Sequence, residues 1–377
     1  MEKRPGSLPG SGPRTFGGSQ SLTRVMRPNP TSPRMIPRRR LLGCALALLL
    51  AAAAGGWPAS ASAASYPNDP FYARQWHLRR IGEPEAWKIS KGKGITIAIL
   101  DTGVDRRHLD LAANMSPLQY DAVNGTNDAG DICTYDPPAK ARVCHGTSVA
   151  GVAAAVTNNG RGVAGVAPDA KIMSVRVSTK DAISDTAVLN GMMWAVDHGA
   201  KVINMSITAE IGTGLPYAHT LPFPDPWNLG VLYAAAKGAL ITISAGNDAS
   251  ILCGDPGENP AVLCVGASDS SDRTTFFSNY GVRLDVVAPG LGIWTTAIFS
   301  PQDVAGYYDP LAGTSFAAPL VAGIGAQLMS MGATNIQAAN IIRATAKQLG
   351  LPGYNITYGF GRVDAAAAVN LCKQVCP

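Results

Sequence analysis

The 377-residue sequence contains no C-x-x-C pair and no histidine-rich run. Both absences argue against a structural zinc site, which draws its ligands from such spacings. Internal repeats are lacking, and so is any sign of a second folded domain. The apolar run from Leu41 to Gly55 is too short and too poorly flanked for a membrane anchor, which needs roughly 20 residues. Basicity is also confined. Of 31 Lys/Arg and 26 Asp/Glu, nine and one fall within residues 1–65, leaving 22 against 25 beyond them, a net charge of −3 where the whole chain has +5. The positive charge belongs to the N-terminal segment, and the rest lacks the electrostatic footprint of a nucleic-acid binder.

Residues 1–34, rich in Pro, Gly, Ser and Arg, bury too little apolar surface to order themselves and read as disordered. Either Met26 or Met35 is a workable start. Residues 35–64 read as a secretory signal: Arg38-Arg39-Arg40, the apolar run, then A-x-A-like cleavage sites from Ala59 to Ala64. The arginines suit a twin-arginine signal as well as a plain basic one. Cys44 precedes the apolar run, which argues against lipidation.

Residues 65–377 suffice for one large domain. Apolar runs Lys171 to Val177, Lys201 to Ser206, Ala239 to Ala245, Val262 to Ala267 and Leu284 to Ala288 read as strands. Helical patterns lie at Asp185 to His198 and Leu229 to Lys237. The alternation predicts an α/β fold, a mostly parallel sheet covered on both faces. Six cysteines follow the signal, an even number in an exported chain. Fifteen pairings are open. Nearest-neighbour bridges, each bracketing one loop, are expected: Cys133–Cys144, Cys253–Cys264 and Cys372–Cys376.

Four stretches carry chemistry. Gly313-Thr314-Ser315 turns into an uncharged helical run, Phe316 to Met331, which sets Ser315 at a helix N-terminus where backbone N–H groups can hold an oxyanion. Alone, Ser315 reads as a helix cap. Ile95 to Leu100 is an apolar strand ending in Asp101, Cys144-His145-Gly146-Thr147 opens a small-residue helix, and Ile243 to Asn247 ends a strand in a carboxamide. Such strand and loop ends are where α/β scaffolds hold catalytic groups.

With Pro67-Asn68-Asp69-Pro70, Lys201 to Ser206 and Asp285 to Gly290 in the same order, the chain resembles the subtilisin-family (S8) serine endopeptidases, with the pattern of the thermitase-like branch, from about Tyr66 to Val369. The resemblance implies the subtilisin-like three-layer fold and a secreted endopeptidase. In it Ser315 is the nucleophile, His145 its base, Asp101 the residue that orients the base, and Asn247 with the Ser315 N–H the oxyanion hole. It further implies that Ser206, Ile207 and Thr208 pair with an extended substrate. Ala245, Gly246 and Gly254 would line an open, apolar pocket giving broad specificity.

The resemblance also implies a structural calcium site. It comprises Asp69, Asp110, the Asn159 side chain and the carbonyls of Val156, Arg161 and Val163, an all-oxygen set suited to Ca²⁺. A weaker candidate is the acidic loop Asp121, Asn124, Asp128 and Asp131. Expected partners are protein or peptide substrates of a monomeric enzyme, with neither nucleic acid nor membrane once the signal is cleaved.

The sequence departs from the family pattern in several places. Thr208-Ala209 stand where glycine is usual, Gly212 to Pro226 is inserted, and Ser148 and Leu320 replace histidines. No room is apparent between the signal and Tyr66 for a pro-segment. These departures leave a peptide-binding pseudoprotease as the alternative. A lipase-type hydrolase is disfavoured, since G-x-S-x-G is absent around Ser315.

Overall fold

Alternate side chains of the run that ends in Asp101 enter two different cores: Ile97 and Ile99 one, Ala98 and Leu100 the other. That is the two-residue period of a strand buried on both faces. The computed structural model describes residues 67–136, 141–179, 182–208, 225–254, 256–297 and 308–377. The expected disordered segment and signal and the Gly212 to Pro224 part of the insertion lie outside the described residues.

In chain order the first half comprises α1 (Trp76–Arg80), α2 (Glu83–Ala86), β1 (Thr96–Asp101), β2 (Tyr120–Asp121), β3 (Thr134–Asp136), β4 (Ala141–Val143), α3 (His145–Ala154), β5 (Lys171–Arg176) and α4 (Asp185–Asp197). Then come β6 (Val202–Met205), α5 (Pro226–Ala236), β7 (Leu240–Ser244), β8 (Val262–Ser268), β9 (Val286–Pro289), β10 (Leu291–Thr296), β11 (Tyr308–Ala312), α6 (Thr314–Ser330), α7 (Asn335–Thr345) and α8 (Ala365–Val375). Seven strands form one parallel sheet in the order β2-β5-β1-β6-β7-β8-β9. The face receiving Ile97 and Ile99 is covered by α2, α3, α6, α7 and α8, and the other by α4 and α5. This is the expected three-layer α/β arrangement.

Element ends shift by a residue or more from the sequence reading, and α5 begins at Pro226 because Asp225 caps the N–H groups of Trp227 and Asn228. The hairpins β3–β4 and β10–β11 were not foreseen. All three nearest-neighbour disulfides are present. No helix among the described residues is long and apolar enough to cross a membrane.

Candidate active site

The chain runs from β1 to β5 on one side and then to β6 on the other, so sheet order reverses at β1, and crevices open beyond the C-terminal ends of strands at such points. Asp101 ends β1 there. Its Oδ1 accepts from His145 Nδ1 at 2.7 Å and from Thr102 N at 2.8 Å. His145 is the first residue of α3, and both side chains are buried. Burial presses the His145 pKa down, but the charge and hydrogen bond of Asp101, with a further contribution from Asp131, outweigh it and leave the imidazole above its ordinary value.

Ser315 lies in the first turn of α6, a helix buried for nearly its whole length. Pro319 inside this helix has no N–H, so the Ser315 carbonyl loses its intrahelical donor. Ser206 Oγ supplies the missing bond at 2.7 Å. Strand parity explains how: Val202 faces the α6 side of the sheet, and Asn204 and Ser206 follow it at two-residue steps. Asn204 Nδ2 supports Ser206 Oγ at 3.0 Å, and Thr242 Oγ1 supports Asn204 Oδ1 at 3.1 Å. The Ser315 hydroxyl itself donates to the Ser206 carbonyl at 3.1 Å rather than to His145. The imidazole stands beside the next residue, its ring 5.9 Å from that of Phe316.

Asn247 follows β7. Its Oδ1 accepts from Thr314 N at 2.9 Å and from Thr314 Oγ1 at 3.0 Å, so the amide orientation is fixed and Nδ2 is turned to the other side. Gly246 has φ 107° and lies so close to Asn279 that a Cβ would stand 2.3 Å from Asn279 Nδ2. Asn279 Oδ1 in turn accepts from Asp248 N and Ser250 N, bracing the turn that presents Asn247. Gly254 N donates to Ala245 O at 2.9 Å, which brings these two expected pocket residues together. Thr208 lies directly against Gly254: a Cβ there would be 2.6 Å from Thr208 Cβ. Thr208 therefore occupies space that the open-pocket expectation left empty, while Ile207 is buried in the core.

The sequence reading missed the supporting groups Thr102, Asp131, Thr147, Asn204, Asn279 and Thr314. Thr102, Thr147 and Thr314 adjoin motif residues and could have been suspected. Asn204, Asn279 and Asp131 are brought in only by the fold.

The calcium candidates behave differently. Asp69 and Asp110 are both buried and both reach the 158–163 loop. Asp69 accepts from Asn158 N at 2.7 Å and Asn159 N at 3.2 Å, and Asp110 from Asn159 Nδ2 at 2.7 Å and Val163 N at 2.9 Å. Asn159 Oδ1 accepts from Arg161 N, so its amide nitrogen, not its oxygen, faces Asp110. Burial raises the Asp69 pKa despite the Asn158 and Asn159 N–H bonds. The acidic-loop candidate does not assemble. Asp121 pairs with Arg176 and Asn124, exposed Asp128 lies 3.9 Å from Arg106, and Asp131 turns to Thr102 and Thr147. Among the described residues no three His, Cys, Asp or Glu gather as a metal cluster.

Known proteins share this architecture. The profile of the subtilase family, Peptidase S8, matches residues 92–361. Thermitase of Thermoactinomyces vulgaris is 39% identical over 308 residues, covering 80% of this chain and 99% of thermitase. A thermophilic serine proteinase of Bacillus sp. strain AK1 is 36% identical, covering 82% of this chain and 70% of that protein. An extracellular basic protease of Dichelobacter nodosus is 34% identical, covering 81% and 56%. Among solved structures, a protease from Pseudoalteromonas arctica superposes with a TM-score of 0.69 at 31% identity, covering 81% of this chain and 99% of its own. Family profile, relatives and fold together make the chain a thermitase-like member of the subtilase family and a serine-type endopeptidase.

Proposed function

We propose that the chain is a secreted endopeptidase in which Ser315 attacks the scissile carbonyl, His145 takes its proton, and Asp101 fixes the imidazole tautomer and stabilises the imidazolium. Asn247 Nδ2 and the Ser315 N–H, one of the first-turn groups with no intrahelical acceptor, hold the oxyanion. The observation that carries this reading is the convergence of the buried Asp101–His145 pair and the Thr314-locked Asn247 on the start of α6. Attack requires the Ser315 hydroxyl to leave the Ser206 carbonyl for His145, a rotation that substrate drives by taking that carbonyl in backbone pairing. Ser206, Ile207 and Thr208 supply the pairing edge. Specificity is broad, through Ala245, Gly246 and Gly254, with Thr208 setting the upper size limit. No observation favours a pseudoprotease.

Secretion follows from the signal pattern of residues 35–64 and from extracellular relatives. The oxygens around the 158–163 loop fit calcium: Asp69, Asp110 and Asn159 with the carbonyls of Val156, Arg161 and Val163 would hold it, on a half-turn of the Asn159 amide. The ion would contribute stability by tying residue 69 to the loop after α3. The test is a serine-directed fluorophosphonate probe beside a Ser315→Ala variant. Labelling of the native protein alone is expected, and label that persists in the variant overturns the assignment of the nucleophile.

A further inference from the structure

α3 begins without a side-chain cap of its own, since Cys144 offers none. The first N–H groups of the helix are satisfied from elsewhere. Gly146 N donates to Thr102 Oγ1 at 3.0 Å, and Thr147 N to Asp131 Oδ2 at 2.8 Å. The same oxygen accepts from Thr147 Oγ1 at 2.5 Å, and Asp131 Oδ1 accepts from Thr102 Oγ1 at 2.7 Å. Thr102 N in turn donates to Asp101. One carboxylate, from a loop that belongs to neither element, thus bonds both the residue after Asp101 and the helix turn that carries His145.

We propose that Asp131 is a positioning residue of the reaction: its carboxylate caps the His145 helix and pins it to the end of the strand that carries Asp101. The proposal rests on the reading of Asp101 and His145 as the orienting acid and the base. Charge adds a second effect. Among the described residues, the charged groups acting on His145 are Asp101 from β1 and Asp131 from its loop. α3 offers Gly146, Thr147 and Ser148, α6 Thr314, Ser315 and Phe316, and β10 Thr295 and Thr296, while the nearby Asp105 pairs with Arg107. Asp131 therefore helps keep the imidazole basic. Its own pKa is pushed up to about 6, chiefly by burial against the Thr147 and Thr102 bonds that lower it, with Asp101 adding repulsion. The brace loses its charge over the pH range in which the base is protonated.

Asp131→Asn keeps the shape, removes the charge and turns one acceptor into a donor. Its kcat is expected to fall about ten- to a hundredfold, the cost of slight misplacement of a catalytic group, with KM little changed. The acid limb of kcat/KM should move to lower pH, which loss of stability alone does not cause. A variant with native kcat, or with an unshifted limb, overturns the proposal. If Asp131→Asn does not fold, Asp131→Glu carries the test. With charge kept but reach altered, it should show reduced kcat and a native limb, and native kcat there refutes positioning. Failure of the native protein to take the fluorophosphonate label would instead strike the underlying assignment.

Discussion

The two halves of the site are held by different physics. The buried Asp101 and His145 and the half-buried Asp131 form a charged cluster in which the aspartates raise the proton affinity of the histidine. Ser315, Ser206, Asn204, Thr314 and Asn247 form a neutral network of hydroxyl, amide and backbone groups. The charged half tunes a proton affinity, while the neutral half fixes where atoms stand. Perturbing each should therefore leave a different kinetic signature.

The largest expected effect tests the neutral half. Asn247→Ala should lower kcat by about 10²–10³, a range drawn from the equivalent loss in subtilisin, with little change in KM or in pH dependence. Steady-state kinetics decides it, and an effect confined to KM would assign Asn247 to ground-state binding. The charged half should dominate the pH profile. As the proposed base His145 would have to be neutral, and its pKa lies above the ordinary value because Asp101 and Asp131 outweigh burial. Activity should thus disappear as pH falls through a midpoint above ~6.5. A midpoint below that value would show that burial wins.

The proposed calcium site would separate both halves from the frame around them. Chelation should lower the thermal midpoint, through a stabilisation of about 2.7 kcal/mol at a hundredfold excess of ion over Kd, without moving the acid limb. Thermal unfolding with EDTA and with added calcium measures this, and Asp69→Ala should abolish the difference. The smallest effect is expected from Ser206→Ala. The Ser315 carbonyl, already deprived of a helical donor by Pro319, would lose its replacement, at a cost of about 1–3 kcal/mol in stability. Denaturant titration reads this, and an unchanged midpoint would mean that water substitutes for the hydroxyl.

Legibility in the sequence followed the same division. Local pattern reveals strands, helices and the turn before α6, because burial imposes its period on neighbouring residues. The motif residues Asp101, His145, Asn247 and Ser315 each lie at or just beyond the end of such an element and could be named. Asp131 and Asn279 could not be, since their roles depend on loops returning to distant backbone. The acidic loop shows the converse error. Its composition suggested a cation site, but Arg176, Thr102 and Thr147, remote in sequence, had already claimed its carboxylates. The contact of Thr208 with Gly254 was hidden for the same reason, since the sequence cannot show that its side chain lies there.

The hairpin just ahead of Ser315 sends Thr295 Oγ1 to Ser148 O at 2.7 Å and Thr296 Oγ1 to Thr147 O at 2.6 Å, clasping the helix of His145. The helix that carries His145 is thus fastened by residues that lie shortly before Ser315 in the chain. A chain emerging N-terminus first displays Asp101 and His145 long before the clasp or the serine exists. On the proposed roles, a partly synthesised chain would lack both the clasp and the nucleophile, so hydrolytic competence is expected only once residues 291–315 are in place.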